Sequence, residues 1–237
     1  MSNSAFTKLP FIVLYTYSWY RVMNPPQPKA KKEELRSTAA VDVLSHAFWR
    51  VNGTIYTQLL ISALEIGVIL AASGLPFPGA QTLLSNFQGT PQNLHLNTYS
   101  TTGAVFMAMG AVIRLSCYRA MGSFFRYEVS IQSDHQLIVT GPYSFVRHPG
   151  YTGLIFAIIG WFLWNWSEGS WVRSSGILNS TFGSLFMVFL STVGILGIWV
   201  VTLGRMTFED KVLHEQFGKQ WEDWAKRVPY FVLPGIW

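Results

Sequence analysis

One cysteine, Cys117, occurs in 237 residues. An intrachain disulfide is therefore excluded, and so is a four-thiolate or CxxC metal site. Charge is scarce too: Asp, Glu, Lys and Arg make up 12% of the chain, about half the usual share of a soluble domain. A soluble domain of this size would need far more charge to cover its surface, whereas a chain solvated by lipid does not. No P-loop or GxGxxG string is present, and no HExxH or GxSxG. A nucleotide-like cofactor would need an architecture other than the Rossmann fold.

Apolar residues are plentiful. They reach 50%, aromatics reach 16% with ten Trp, and mean hydropathy is +0.27. This composition excludes a disordered chain, a coiled coil and a nucleic-acid-binding arm. It predicts an all-α, polytopic membrane helix bundle built as one domain over 1–237. Apolar runs of about 20 residues mark spans. They lie at Ile55–Leu75, broken by Gln58 and Glu65, at Tyr99–Tyr118, at Tyr151–Trp166 and at Asn179–Leu203. Leu9–Val22 is a short fifth candidate, either spanning or interfacial, without an A-x-A-like cleavage site.

Net charge is +5, and its placement suggests topology rather than a nucleic-acid partner. Asn24–Asn52, Arg119–Gly150 and Arg205–Trp237 hold most of the basic residues, while Pro76–Thr98 holds no charge. The positive-inside rule puts those three basic segments, including the C-terminus, in the cytosol. Val41–Val51 reads as a short amphipathic helix. The spacing of Phe208, Val212, Leu213, Phe217, Trp221 and Trp224 predicts an amphipathic helix that stops at Pro229.

Two constellations could carry chemistry. The first is His135-Gln136-Leu137-Ile138-Val139-Thr140-Gly141-Pro142-Tyr143, followed by Arg147-His148-Pro149-Gly150-Tyr151. Gly141-Pro142 signals a turn, and Pro149 suits the first turn of the next span. A helix N-terminus with imidazoles, a guanidinium and phenols suits an anionic ligand, or else anchors a helix at headgroup level. The second is Arg205 and Glu209, four apart on one helix face. They are either a structural ion pair or an anion grip beside an acceptor of ligand hydroxyls or an amine. Arg114 and Glu65 are ionisable residues inside apolar runs. The first is placed to snorkel, and the second either pairs or lines a cavity.

The string His135–Gly153, with Arg205 and Glu209 about fifty residues on, resembles the isoprenylcysteine carboxyl methyltransferases. The tail adds Phe217-Gly218, Trp221, Trp224, Arg227-Val228-Pro229 and Pro234-Gly235-Ile236-Trp237. The resemblance runs from about Arg114 to the C-terminus. It implies a membrane enzyme of about five transmembrane helices, with N-terminal spans in 1–98 and a catalytic core in 99–237. Its cytosol-facing cofactor pocket would be built from the loop before the fourth span and the tail.

The implied cofactor is S-adenosylmethionine. His135, Gln136, Leu137, Ile138, Tyr143, Arg147, His148, Pro149, Gly150, Tyr151 and Glu209 would hold it, with no metal. Arg205 would grip the carboxylate of a prenylated cysteine, and prenylated CaaX proteins would be the substrates. The implied product is a methyl ester, made at the endoplasmic reticulum. Three departures from the family's pattern stand out: Asp210 in place of a second glutamate, tryptophans at 221 and 224 in place of tyrosines, and Glu128 in place of a glutamine contact. A phospholipid amine acceptor, a sterol reductase with more spans and a non-catalytic scaffold are the competing expectations.

Overall fold

A computed structural model of the protein describes residues 4–26, 28, 30–36, 52–126, 128–200 and 204–235. The expected helix at Val41–Val51 lies outside these residues, as do Ile236 and Trp237. Five long helices carry the chain: α1 Ser4–Met23, α2 Asn52–Ala72, α3 Thr98–Met121, α4 Pro149–Asn165 and α5 Thr181–Val200. Two shorter ones follow, α6 Met206–Phe217 and α7 Lys219–Arg227. Among the described residues there is one isolated bridge, Leu35 with Ser130, and no strand. The protein is therefore an all-α membrane helix bundle.

Local chemistry sets the helix starts. Asn97 and Ser100 cap α3 reciprocally, each side chain accepting the other's backbone N–H at 2.9 Å. Ser180 accepts the Gly183 N–H at 3.0 Å and caps α5. Pro149 opens α4, where a missing N–H costs nothing. Three helical segments are long and apolar enough to cross a bilayer: Gly53–Ala72, Thr98–Phe124 and Thr181–Trp199. Their outward side chains suit hydrocarbon, as Phe182, Leu185 and Trp199 on α5 show, each more than 60% exposed. With 17 residues, α4 is about 25 Å long, short of a hydrocarbon core of about 30 Å.

The described residues group into two compact units. The first takes Met1–Tyr20, Val51–Met109 and Phe156–Gly194. Its interior is polar in one place. Lys8 of α1, fully buried, pairs with Glu65 of α2 and donates to the Gly169 carbonyl. Beside it, the Asn165 amide reaches Gln58 at 3.1 Å and the Tyr15 hydroxyl at 3.3 Å. Tyr15 stacks on Trp164 with centroids 4.6 Å apart. A Cβ on Gly160 would lie 2.7 Å from the Gly103 carbonyl oxygen, so α3 and α4 meet backbone to backbone.

The second unit takes Arg21–Arg50, Gly110–Ile155 and Ile195–Trp237. A Cβ on Gly153 would lie 2.8 Å from the Gly110 carbonyl oxygen, a similarly close approach. Arg114 does not snorkel. Its Nε donates to the Val22 carbonyl and a terminal nitrogen donates to the Gly150 carbonyl, both at 2.9 Å. Around it, Cys117, Tyr118, Phe125, Tyr143, Trp224 and Val228 form an apolar cluster.

One tail expectation needs correction. The continuous helix foreseen over 208–224 is two helices, because Gly218 adopts φ +49° between them. A residue without a Cβ accepts that backbone and the chain turns there. At the other end, the apolar run at 9–22 understates α1, a 20-residue helix that starts at Ser4 and includes Lys8 and Pro10.

Candidate active site

All of the candidate site lies in the second unit. After α3 the chain turns at Gly122 and then runs extended. There the Arg36 N–H donates to the Val129 carbonyl at 3.0 Å, and the Ile131 N–H donates to the Glu34 carbonyl at 2.9 Å. Gln136–Val139 form no helix or strand, and among the described residues their backbone N–H groups find no acceptor. The foreseen Gly-Pro turn is present, with Gly141 at φ +62°. Beyond it the chain enters α4 past Arg147 and His148.

A cavity opens among these segments and α6. His135, Gln136, Leu137, Ile138 and Tyr143 line it from the loop. Arg147, His148, Gly150 and Tyr151 line it from the start of α4, and Arg205 and Glu209 line it from α6 and its N-terminal flank. Pro149, expected among the contacts, shapes the helix start and is not on the cavity wall.

The polar centre is a chain of hydrogen bonds. Glu209 accepts from the Tyr151 hydroxyl and, at 3.0 Å, from Arg205 Nε. Its second oxygen lies 3.5 Å from His148 Nδ1. On the other ring edge, His148 Nε2 meets Asp210 at 3.0 Å. Burial alone would lower the His148 pKa, but the hydrogen bonds and charges of Asp210 and Glu209 raise it above the ordinary imidazole value. An imidazolium donates from both nitrogens and so satisfies both carboxylates. Burial would raise Glu209, yet His148 and Arg205 hold its carboxyl down to about 2. Tyr143, pushed up mainly by burial, gives its hydroxyl to Met121 Sδ at 2.7 Å.

Backbone carbonyls of the tail hold this centre in place. The Arg147 and His148 N–H groups donate to the Tyr230 and Phe231 carbonyls, each at 2.8 Å. The Arg147 guanidinium binds Asp210 at 3.0 Å and the Pro229 carbonyl at 2.9 Å, and stacks over Phe231. Thr152 donates to the Val232 carbonyl at 2.6 Å. Trp224 Nε1 donates to the Tyr143 carbonyl at 3.0 Å. Arg147, expected among the cofactor contacts, therefore also braces the wall that it lines.

Several cavity residues escaped the sequence reading: Phe124, Arg126, Val129, Ile131 and Leu213. Only the cationic side chain of Arg126 gave any signal, and it lay among other basic residues. The wall carries orphaned polar atoms. His135 Nδ1 is buried without a partner, and burial lowers its pKa, so the ring is neutral and packs against Phe124 and Phe217. A neutral imidazole edge and the unbonded amides of 136–139 are free to hydrogen-bond a polar ligand.

Comparison with known proteins points the same way. The phospholipid methyltransferase family matches residues 99–189. The chain is 27% identical over 181 residues to the protein-S-isoprenylcysteine O-methyltransferase of Schizosaccharomyces pombe, covering 75% of this chain and 66% of that protein. It is 30% identical over 173 residues to the Mus musculus protein of the same name, covering 72% and 52%. With the Arabidopsis thaliana B form it is 25% identical over 145 residues, covering 60% and 62%. The chain spans about half to two thirds of the length of the curated relatives it matches. The motif string and the cavity thus stand in a chain that is similar, over most of its length, to proteins named protein-S-isoprenylcysteine O-methyltransferase.

Proposed function

We propose that the chain transfers a methyl group from S-adenosylmethionine to the C-terminal carboxylate of a prenylated cysteine, giving a methyl ester. The observation that carries this reading is the Arg205–Glu209–Tyr151–His148 chain on the wall of one cavity. It sets a buried cation beside a fixed carboxylate, the pair needed to hold an acceptor carboxylate and a cationic donor at once. The names of the relatives support the same activity.

The cofactor would supply an activated methyl on sulfur. His135, the 136–138 backbone, Tyr143, Gly150 and Tyr151 would hold it, with Glu209 accepting from its hydroxyls or amine. No strong base is needed, because a carboxylate is ionised at neutral pH, with an ordinary pKa near 4. The protein's task is alignment, which can contribute roughly 7–11 kcal/mol. Arg205, 4% exposed, is fixed through Nε by Glu209 and stands over the Tyr151 ring. A guanidinium so held orients a carboxylate by its planar fork. Phe124, Phe125, Leu213 and Trp224 keep water from the attacking oxygen. A prenyl chain, reaching the site from the bilayer, would add about 0.8 kcal/mol of affinity per buried CH2-sized group.

The basic residues around the cavity support a cytosolic catalytic face and C-terminus, and the endoplasmic reticulum is the membrane that the family resemblance implies. In membranes carrying the chain, labelled S-adenosylmethionine and N-acetyl-farnesylcysteine should yield a base-labile methyl ester. Arg205→Ala should abolish the ester while cofactor affinity largely survives, and Glu209→Ala should weaken cofactor binding. Ester formation at the wild-type rate by Arg205→Ala would refute the assigned grip. The competing outcome is methylation of a neutral phospholipid amine, for which Arg205 would be dispensable.

A further inference from the structure

One wall of the cavity carries two opposite charges that the fold engages only weakly. Arg126 and Glu128 sit two residues apart, just before the stretch that bridges to Leu35, and both line the cavity. Arg126 Nε is buried with no partner among the described residues, and Nη1 reaches only the neighbouring Phe125 carbonyl, at 3.5 Å. Glu128 accepts one long hydrogen bond, from the Ala30 N–H at 3.5 Å. The other cavity charges are engaged: Arg114 with the Val22 and Gly150 carbonyls, Arg147 with Asp210, and Arg205 and His148 with Glu209.

A buried guanidinium N–H without an acceptor is costly, and a ligand oxygen relieves it. Bridging of 129–131 to 34–36 fixes the wall on which the two groups stand. A guanidinium and a carboxylate on one wall match a zwitterion, with an α-carboxylate for the first and an α-ammonium for the second. A prenylated acceptor offers a lone carboxylate on an apolar body, which Glu128 would repel. We propose that Arg126 and Glu128 together receive the amino-acid end of the methyl donor, Arg126 taking its carboxylate and Glu128 its ammonium. This rests on the methyl-donor reading above and adds the residues that distinguish the donor from other adenosines.

The test is calorimetric binding to the purified full chain in nanodiscs. The probes are S-adenosylhomocysteine, its decarboxylated counterpart and 5′-methylthioadenosine, which lacks the amino-acid end. Arg126→Ala should bind S-adenosylhomocysteine about ten- to a hundredfold more weakly, the range for a lost charge-assisted hydrogen bond. It should bind the decarboxylated probe as the wild type does. Arg126→Lys should recover part of the loss. Glu128→Gln should weaken both amine-bearing probes and leave methylthioadenosine unchanged, which also reports that the variant is folded.

Equal weakening of all three probes by Arg126→Ala and Arg126→Lys, or no weakening at all, would overturn the proposal. So would unchanged donor binding with a raised KM for N-acetyl-farnesylcysteine, which would assign Arg126 to the acceptor carboxylate. A wild-type chain that binds none of the probes would remove the methyl-donor reading, and this proposal with it.

Discussion

His148 sits between Glu209 and Asp210, and its charge joins the loop end of α4 to α6. Because its pKa is raised in the fold, the stabilisation it gives is complete below the ordinary value of about 6.5 and fades as pH climbs through the raised one. Glu209 acts in the opposite direction. Its contribution is complete above the ordinary value of about 4.3 and is lost only as pH falls towards about 2. The centre is therefore most stable between about pH 4.5 and 6.5. His148→Asn should cost most in that window, and the difference in Tm from the wild type should shrink as pH rises beyond it. A pH-independent difference, followed by thermal unfolding in detergent, would show that the imidazolium is not what joins the two carboxylates.

Residue types in the site were largely readable from the sequence; their partners were not. Arg205 and Glu209 are four apart, so their pairing follows from helix geometry. Arg147 reads from the sequence as a ligand contact, because its partners are Asp210 and backbone carbonyls some sixty to eighty residues later. A carbonyl leaves no signature in the side-chain sequence. Arg126 shows no distinguishing mark either, since a cation near a basic loop resembles every other cation there.

At the scale of the helix, the polar residues within apolar runs explain why α1 was only partly legible. Lys8 interrupts the apolar pattern, yet in the fold it is buried against Glu65 and the Gly169 carbonyl. The same pair makes a stability prediction. Lys8→Met leaves a buried carboxylate unpaired, which costs about 3–5 kcal/mol. Lys8→Met with Glu65→Leu removes both charges and should recover most of that loss, as measured by unfolding in detergent. A double variant no more stable than the single one would mean that Lys8 acts through the Gly169 carbonyl alone. The apolar spans themselves were legible because lipid demands about 20 apolar residues. The break at Gly218 was not, since the hydrophobic spacing runs on across it and only the glycine's φ separates α6 from α7.

For the whole molecule, the site draws on residues far apart in sequence. Its cavity is lined from Arg114 to Trp224, and the segment 228–232 braces it through carbonyls. A chain ended after Arg227 keeps every described helix but loses the tail acceptors for Arg147, His148 and Thr152. Such a chain should still insert into membranes, as alkaline extraction would report, yet bind S-adenosylhomocysteine at least tenfold more weakly. Full affinity in the truncated chain would mean that Asp210 alone holds the wall.

The bracing by 228–232 also orders events during synthesis. Helices α2, α3 and α5, long and apolar enough to span, precede it and can enter the bilayer as they are made, while the acceptors for Arg147, His148 and Thr152 leave the ribosome only after α7. Until then Arg147 and His148 lack their backbone acceptors, and the nascent chain lies in the membrane without a finished cavity. Maturation of the site is thus a late, post-insertion step, timed by how soon five residues can fold back onto a loop made eighty residues earlier. Because carbonyls do the bracing, that step tolerates varied side chains in the segment but not a change in its length.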